Sequence, residues 1–196
     1  MGLADKYNDI YMRLKSFHDT PERLHHDWSH IVACLDELYE VKSFFSERVF
    51  LNLFFAILLH DVVYSATAKA GENEAQSAVF ADELLKKLDF SQSRIEKIHA
   101  LILSTANHQG TDIQEQWMGD IDCAVLGMGW ERYRRYLQAI RFEYGYFSDK
   151  QYREGRLAFL KEMQERRIFQ TPYFYEKYED QAKLNIEKEI EMLEGV

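Results

Sequence analysis

Helix-breaking residues are scarce in this sequence. Its 196 residues include only two prolines and nine glycines, and so few breakers favour long helices over many short strands. Hydrophobic residues make up 46% of the chain and charged residues 29%, a balance that excludes an intrinsically disordered protein. We therefore expect an all-α fold in a single domain over residues 1–196.

The sequence also has no disulfide motif, no apolar run long enough to span a membrane and no net positive charge. The two cysteines, Cys34 and Cys123, form no CxxC pair and no disulfide framework, so we expect a reducing, cytoplasmic setting. The longest apolar run, residues 49–59, covers about half of the roughly 20 residues that a membrane-spanning helix needs. The net charge of −9 argues against general nucleic-acid binding. Nothing in the sequence indicates an oligomeric state.

Apolar residues recur at helical spacing along most of the chain. They predict helices over residues 3–17, 28–45, 48 to about 63, 73–88, 91–108, 113–127, 130–147, 148–167 and 171–195. Asp27 and Thr171 are the predicted N-caps of the second and the last of these helices. The third helix is apolar on every face, which predicts that it is buried.

Two ionisable residues, His60 and Asp61, stand at the end of that buried helix. A buried carboxylate without a partner is costly, and a bound divalent cation removes this cost. The simpler alternative is a helix-end pair that only caps the helix or forms a salt bridge.

Other segments supply further ligand-type residues. "RLHHDWSHI" contains His26 and His30, which are four apart and share one face if the segment is helical. "MGDIDCAVLG" contains Asp120 and Asp122 in an otherwise apolar segment. Helices packed around one core can point such residues inward, as carboxylate-bundle metal proteins do. Imidazole and carboxylate ligands suit Mn, Fe, Co, Mg, Zn or Ni, so we predict one divalent metal ion or two.

The order His30…His60-Asp61…Asp122 resembles the H…HD…D signature of the HD superfamily of metal-dependent phosphohydrolases. "LHHDWSHI" is similar to the YHNxxH segment of cyclic-nucleotide phosphodiesterases, and "DIDCAVLG" is similar to the DADLxxLG of bacterial HD proteins. "NEAQSA", "TANH" and "RFEYGYFSDKQYREGR" resemble, in order, further segments of a bacterial group of predicted HD phosphohydrolases. The resemblance covers most of the chain.

This resemblance implies an HD-domain helical bundle with a metal site in its core. The core would span about residues 22–127, and helices within 130–194 would complete the pocket. The residues it implies are, as metal ligands, His30, His60, Asp61 and Asp122; in catalysis, His26, Glu74 and Asp61; and in substrate binding, Arg141, Arg156 and His108. Asp122 is preferred to Asp120 because the second Asp of the motif is the ligand.

Some of these assignments have alternatives. The phosphodiesterases carry a second His in HDxxH where this chain has Tyr64, so a second metal would need another ligand, such as His108. His99 lies nine residues earlier on what we predict to be the same helix, about half a turn out of phase, so both cannot face the site. Arg141 and Arg156 belong to a locally positive segment that could equally be a solvated helical face.

We expect metal-assisted hydrolysis of a small phosphoester, such as a nucleotide or a phosphorylated metabolite. His26 or Glu74 would act as the general acid. Two other functions stay open: a di-iron HD-type oxygenase, and a metal-stabilised module that binds a nucleotide or a partner protein without turnover.

Overall fold

Helices make up the regular structure of residues 3–195, the part of the chain that the computed structural model describes. Within these residues there are nine α-helices, two short 3-10 helices and no strand, which confirms the all-α prediction. The α-helices are α1 (Leu3–His18), α2 (Trp28–Glu40), α3 (Glu47–Leu59), α4 (Glu72–Lys87), α5 (Gln92–Ser104), α6 (Ile113–Asp122), α7 (Trp130–Glu143), α8 (Asp149–Glu165) and α9 (Pro172–Glu194). The 3-10 helices are Lys42–Phe44 and Cys123–Gly127. None of these described helices has the length and apolar character needed to cross a membrane.

Side chains fix where several helices begin. Asp27 accepts hydrogen bonds from backbone N–H groups in the first turn of α2, and Thr171 caps α9 with Pro172 in its first position, as predicted. Reciprocal capping boxes start α6 at Asp112 and α8 at Ser148. Each cap satisfies amide groups that the first helical turn leaves without a partner. These signals are local, which explains why most helices lie where the sequence places them.

The apolar helix α3 ends earlier than predicted. Its last residue is Leu59 rather than a residue near Val63, so the prediction for this boundary is wrong. His60 still has helical backbone angles, with φ −64° and ψ −33°, but it and Asp61 belong to a turn. The two ionisable residues therefore follow the helix instead of lying within it.

Distant side chains hold the turn that follows α3. The Arg23 guanidinium donates to the carbonyls of Asp61 and Val62 at 2.7 and 3.4 Å. The Ser77 hydroxyl, on α4, donates to the Val63 carbonyl and accepts from the Val63 N–H, both at 3.1 Å. The Val63 N–H donates to Ser77 and not to a carbonyl of the helix, and Arg23 and Ser77 together hold the backbone of this turn.

Helix α5 also stops short of its predicted end. It ends at Ser104, where the hydroxyls of Ser104 and Thr105 donate to carbonyls three residues earlier at 2.7 and 2.8 Å. Such side chains offer the backbone an alternative to the helix. The prediction that His99 and His108 share one helix is therefore wrong. His108 lies in the next loop, with a left-handed φ of 52°.

The chain divides into two compact units, with the boundary after Asn107. In the first unit, α3 packs against α2, α4 and α5, and α4 packs against α5. Its core is apolar and fully buried, with Leu38, Leu53, Ile57, Leu59, Ile98 and Leu101 each at 0% exposure. The ring of Phe17 contacts that of Phe80 edge-on, which fastens α1 to α4.

In the second unit, the 3-10 helix Cys123–Gly127 contacts α6, α7 and α9, while α8 packs on α9. A buried ionic network crosses this unit. The fork of Arg156 donates to both carboxylate oxygens of Glu189 at 2.8 and 3.1 Å, and Tyr133 donates to the same carboxylate at 2.6 Å. The prediction that residues 1–196 form one HD-type domain stays a prediction.

Gly127 lies where α9 leaves no room for a side chain. A Cβ at this position would come 2.4 Å from the Tyr178 Cβ. No such contact exists at Gly155 within α8, where an added Cβ would meet nothing within 4 Å.

We predict that Gly127→Ala lowers the free energy of unfolding by about 1–3 kcal/mol, because a well-packed contact must shift to admit the methyl group. Gly155→Ala is the matched control and should raise it by roughly 0.5–1 kcal/mol, since alanine favours the helix. Urea denaturation of the two variants measures both effects. Equal stability of the Gly127 variant and the wild type would contradict the packing described here.

Candidate metal centre

Three predicted ligands lie together in the first unit. His30 belongs to the first turn of α2, and His60 and Asp61 follow the end of α3. The Nε2 atoms of His30 and His60 are 3.3 Å apart. Oδ2 of Asp61 lies 3.1 Å from His60 Nε2 and 3.7 Å from His30 Nε2. All three residues are buried, with 1–8% exposure, and their ligand atoms are close enough together to hold one metal ion.

A hydrogen bond on the far side of its ring orients His60. Its Nδ1 lies 2.9 Å from the Ile57 carbonyl, which can only accept, so Nδ1 carries a proton. In the neutral ring, Nε2 then presents a lone pair to Oδ2 of Asp61. These two electron-rich atoms repel unless a proton or a cation lies between them. Histidine ligands to metals are commonly oriented by such a bond to the other ring nitrogen, so the donor set fits a divalent ion.

Asp61 is negatively charged at neutral pH despite its burial. Burial alone would raise the pKa of this carboxyl, but the positive charge of the neighbouring imidazoles when they carry a second proton, His60 first and then His26 and His30, holds the pKa well below its ordinary value. A buried, ionised carboxylate next to two imidazole nitrogens is the donor chemistry that Mn, Fe, Co, Ni and Zn share.

His26 lies beside this group, although not on α2. It precedes the helix, so the condition under which His26 and His30 would share one helical face is not met. Its ring centroid is 6.1 Å from that of His30, and its ring stacks on Tyr64 at 4.0 Å. His25 is closer still, with its ring 4.8 Å from that of His30. Sequence reasoning passed over His25, although the adjacent pair "HH" could have indicated it.

Glu74 lies in the first turn of α4. The neighbouring Asn73 side chain accepts from the Ser65 N–H at 3.0 Å and donates to the Ser65 carbonyl at 3.1 Å. Together with Ser77, Asn73 fastens this helix to the segment that follows Asp61. Oε2 of Glu74 is buried, and it has no hydrogen-bond partner within the described part of the chain. A buried carboxylate oxygen without a partner calls for a ligand, a water molecule or a proton.

Arg23 and His18 were missed by sequence reasoning. Besides the turn after α3, the Arg23 guanidinium contacts Nδ1 of His18 at 3.4 Å, and the His18 ring meets Trp28 edge-on. His18 is completely buried, and burial together with the positive charge of Arg23 lowers its pKa to about 4. No spacing or motif marks either residue, because their partners lie on other segments.

The two aspartates of "MGDIDCAVLG" have different environments in the second unit. Asp120 is buried and accepts hydrogen bonds from the backbone N–H groups of Gln170 and Thr171, both at 2.7 Å, and from the Thr171 hydroxyl at 2.6 Å. It therefore ties the end of α6 to the start of α9. Oδ2 of Asp122 lies 3.0 Å from Nε2 of His108. That Asp122 binds the metal stays a prediction.

His108 is positively charged near neutral pH in this pairing. Burial opposes its charged form, but the Cys123 sulfur and the Asp122 carboxylate outweigh burial and raise the pKa of His108 well above its ordinary value. A cationic imidazole suits an anionic substrate, which is the role predicted for this residue.

The two predicted phosphate-binding arginines have carboxylate partners in the second unit. Arg156 is buried and bonded to Glu189 as described above. Arg141 is half-buried and donates to Asp149 at 2.6 Å and to the Tyr144 carbonyl at 3.1 Å. Phosphate binding by either arginine stays a prediction, and it would require these partners to be exchanged or shared.

Comparison of the chain with protein-family models, with curated proteins and with solved structures finds no match in any of the three. The arguments for function therefore come from the geometry above and from the motif resemblance in the sequence.

We predict that His18 makes stability depend on pH. An unfolded histidine has a pKa near 6.5, so between about pH 6.5 and 4 the unfolded chain binds a proton here that the folded chain does not. As the pH is lowered through this window, the free energy of unfolding should therefore decrease, by up to roughly 3 kcal/mol for this residue. His18→Gln keeps an acceptor for Arg23 but does not titrate, so its stability should fall less. Urea denaturation across the window tests this, and equal losses in the two proteins would contradict it.

Proposed function

We propose that this protein is a metal-dependent phosphohydrolase that acts on a small phosphoester, such as a nucleotide or a phosphorylated metabolite. The observation that carries the proposal is the convergence of Nε2 of His30, Nε2 of His60 and Oδ2 of Asp61 within 3.1–3.7 Å of one another. Their order along the chain is also that of the HD phosphohydrolase signature. The proposed fourth ligand, Asp122, comes from that resemblance.

These residues would hold one divalent ion. Such an ion supplies Lewis acidity, which polarises a phosphoryl oxygen and makes water a nucleophile at neutral pH. The contribution of the chain is to present its ligands in fixed orientation. The bond from its Nδ1 to the Ile57 carbonyl fixes the orientation of the His60 ring. Asp61 contributes negative charge, because its carboxylate stays ionised while it is buried.

Hydrolysis of a phosphoester also needs a proton for the leaving alkoxide. His26 supplies an imidazole beside His30, and imidazole is the side chain whose ordinary pKa is nearest to neutrality. Glu74 supplies a buried carboxylate oxygen without a protein partner among the described residues. We assign this proton transfer to one of the two, His26 or Glu74.

Charge compensation supports the same substrate class. A phosphate group approaching a chain with a net charge of −9 needs local positive charge. His108 is one candidate for it, through an imidazole whose Nε2 lies 3.0 Å from Oδ2 of Asp122. Arg141 and Arg156 are further candidates from the sequence resemblance.

We predict that Asp61→Asn removes the bound metal. Asparagine keeps the shape of the side chain but lacks the negative charge and the second oxygen donor. Added Mn²⁺ at about 100 times its Kd should stabilise the wild type by roughly 3 kcal/mol and leave the variant unchanged. Asp82→Asn is the matched control, since Asp82 pairs with His99 at 3.1 Å in the same unit. Elemental analysis and thermal unfolding measure the effect, and metal at wild-type stoichiometry in Asp61→Asn would refute the site.

We predict that phosphate release requires a divalent ion. Activity over a panel of mononucleotides and sugar phosphates should be abolished by chelator and restored by adding back Mn²⁺, Co²⁺ or Zn²⁺, because His30, His60 and Asp61 suit these ions. Full activity in the metal-free protein would refute the mechanism. Bound iron with a visible absorption band would instead favour an oxygenase. Tight nucleotide binding without turnover would favour a binding module.

A further inference from the structure

Arg23 is a buried cation that the proposed mechanism does not use. It lies in the loop between α1 and α2, and only 8% of it is exposed. Burying a guanidinium is costly unless its N–H groups find acceptors. The acceptors of Arg23 therefore indicate what its burial accomplishes.

These acceptors lie on both segments that carry the proposed site. Nη1 donates to the Asp61 carbonyl at 2.7 Å and to the His26 carbonyl at 3.4 Å, and Nη2 donates to the Val62 carbonyl at 3.4 Å. One side chain thus joins the loop before α2 to the turn after α3. Since α3 ends at Leu59, the carbonyl of Asp61 has no helical ladder to hold it. The hydrogen bond from Arg23 holds this carbonyl instead.

The aromatic neighbours of Arg23 lead to the same two segments. Its guanidinium carbon lies 5.4 Å from the centre of the Tyr64 ring. Tyr64 in turn stacks on His26, with centroids 4.0 Å apart and planes inclined by 26°. Tyr64 therefore contacts both the guanidinium of Arg23 and the ring of His26.

A further neighbour, His18, contacts Arg23 from the end of α1. Arginine can only donate, so Nδ1 of His18 must accept at 3.4 Å. Lysine would keep the positive charge in this pocket. It lacks the planar fork that reaches several acceptors at once and the delocalised guanidinium that contacts the Tyr64 ring.

We propose that Arg23 is a positioning residue for the metal centre: it sets the backbone of Asp61 and the ring of His26 in the geometry that metal binding and proton transfer need. The proposal rests on the proposed function and deepens it. Arg23 itself touches neither metal nor substrate. Its effect passes through the Asp61 carbonyl and the Tyr64 ring.

The experiment compares Arg23→Lys with Arg94→Lys in otherwise identical chains. Arg94 is a matched control in the same unit, because it also donates to a side chain, Asn52 at 3.2 Å, and lies over an aromatic ring, Phe90 at 4.5 Å. Metal-free proteins are titrated with Co²⁺ and followed by visible absorption. Loss of support around metal ligands typically weakens metal affinity by about 10–100-fold, and we expect a loss of this size in Arg23→Lys, with an altered cobalt band. Arg94→Lys should match the wild type.

A second readout keeps the test decisive if the variants differ in stability or if the wild type binds no cobalt. Imidazole NMR shifts in the metal-free state should move for His26 and His60 in Arg23→Lys and stay unchanged in Arg94→Lys. Absence of cobalt binding in the wild type would refute the proposed metal site, and the NMR shifts would then decide the positioning role alone. Wild-type affinity and wild-type shifts in Arg23→Lys would overturn it, and so would equal effects of the two substitutions.

Discussion

Burial of the Asp61 carboxylate at the end of an apolar helix is the constraint on which the first unit depends. An ionised carboxylate in such surroundings is stable only where opposite charge or hydrogen bonds compensate it. Here two imidazoles approach its oxygen, while the Arg23 guanidinium bonds its backbone. The turn that carries Asp61 is in turn fastened by Ser77 to α4. The segment that follows α3 is thus held by side chains from the loop before α2 and from α4.

Buried charge in the second unit is handled differently. Asp120 accepts three hydrogen bonds from the start of α9, and Arg156 engages both oxygens of Glu189. These groups are compensated within the protein, so their contribution is to hold helices together. Glu74 contrasts with them, because a buried carboxylate oxygen there has no hydrogen-bond partner in the described residues. An unsatisfied atom does not by itself mark a catalytic residue, since Oδ1 of Asp82 and Nη2 of Arg94 are also buried without a partner in the described residues.

The two histidine environments illustrate how placement sets protonation. His18 and His108 have the same ordinary pKa, and burial lowers the pKa of both. A neighbouring guanidinium adds to this effect at His18, whereas the Cys123 sulfur and the Asp122 carboxylate reverse it at His108. One imidazole is therefore neutral over most of the pH range and accepts a hydrogen bond, and the other is cationic. A sequence motif cannot express this distinction, because it identifies the histidine and not its neighbours.

The sequence by itself determined the helical class and the approximate positions of the helices. Caps such as Asp27 and Thr171 and the apolar periodicity act over a few residues, so they can be read without a fold. It also indicated that His30, His60 and Asp61 act as a group, since ionisable residues in apolar segments need compensation. Only the tertiary structure decided where α3 ends, which acceptors Arg23 serves and what Asp120 and Arg156 bind. The physical reason is distance along the chain: Arg23 and Asp61 are 38 residues apart and Asp120 and Thr171 are 51, so these bonds exist only once the helices have packed.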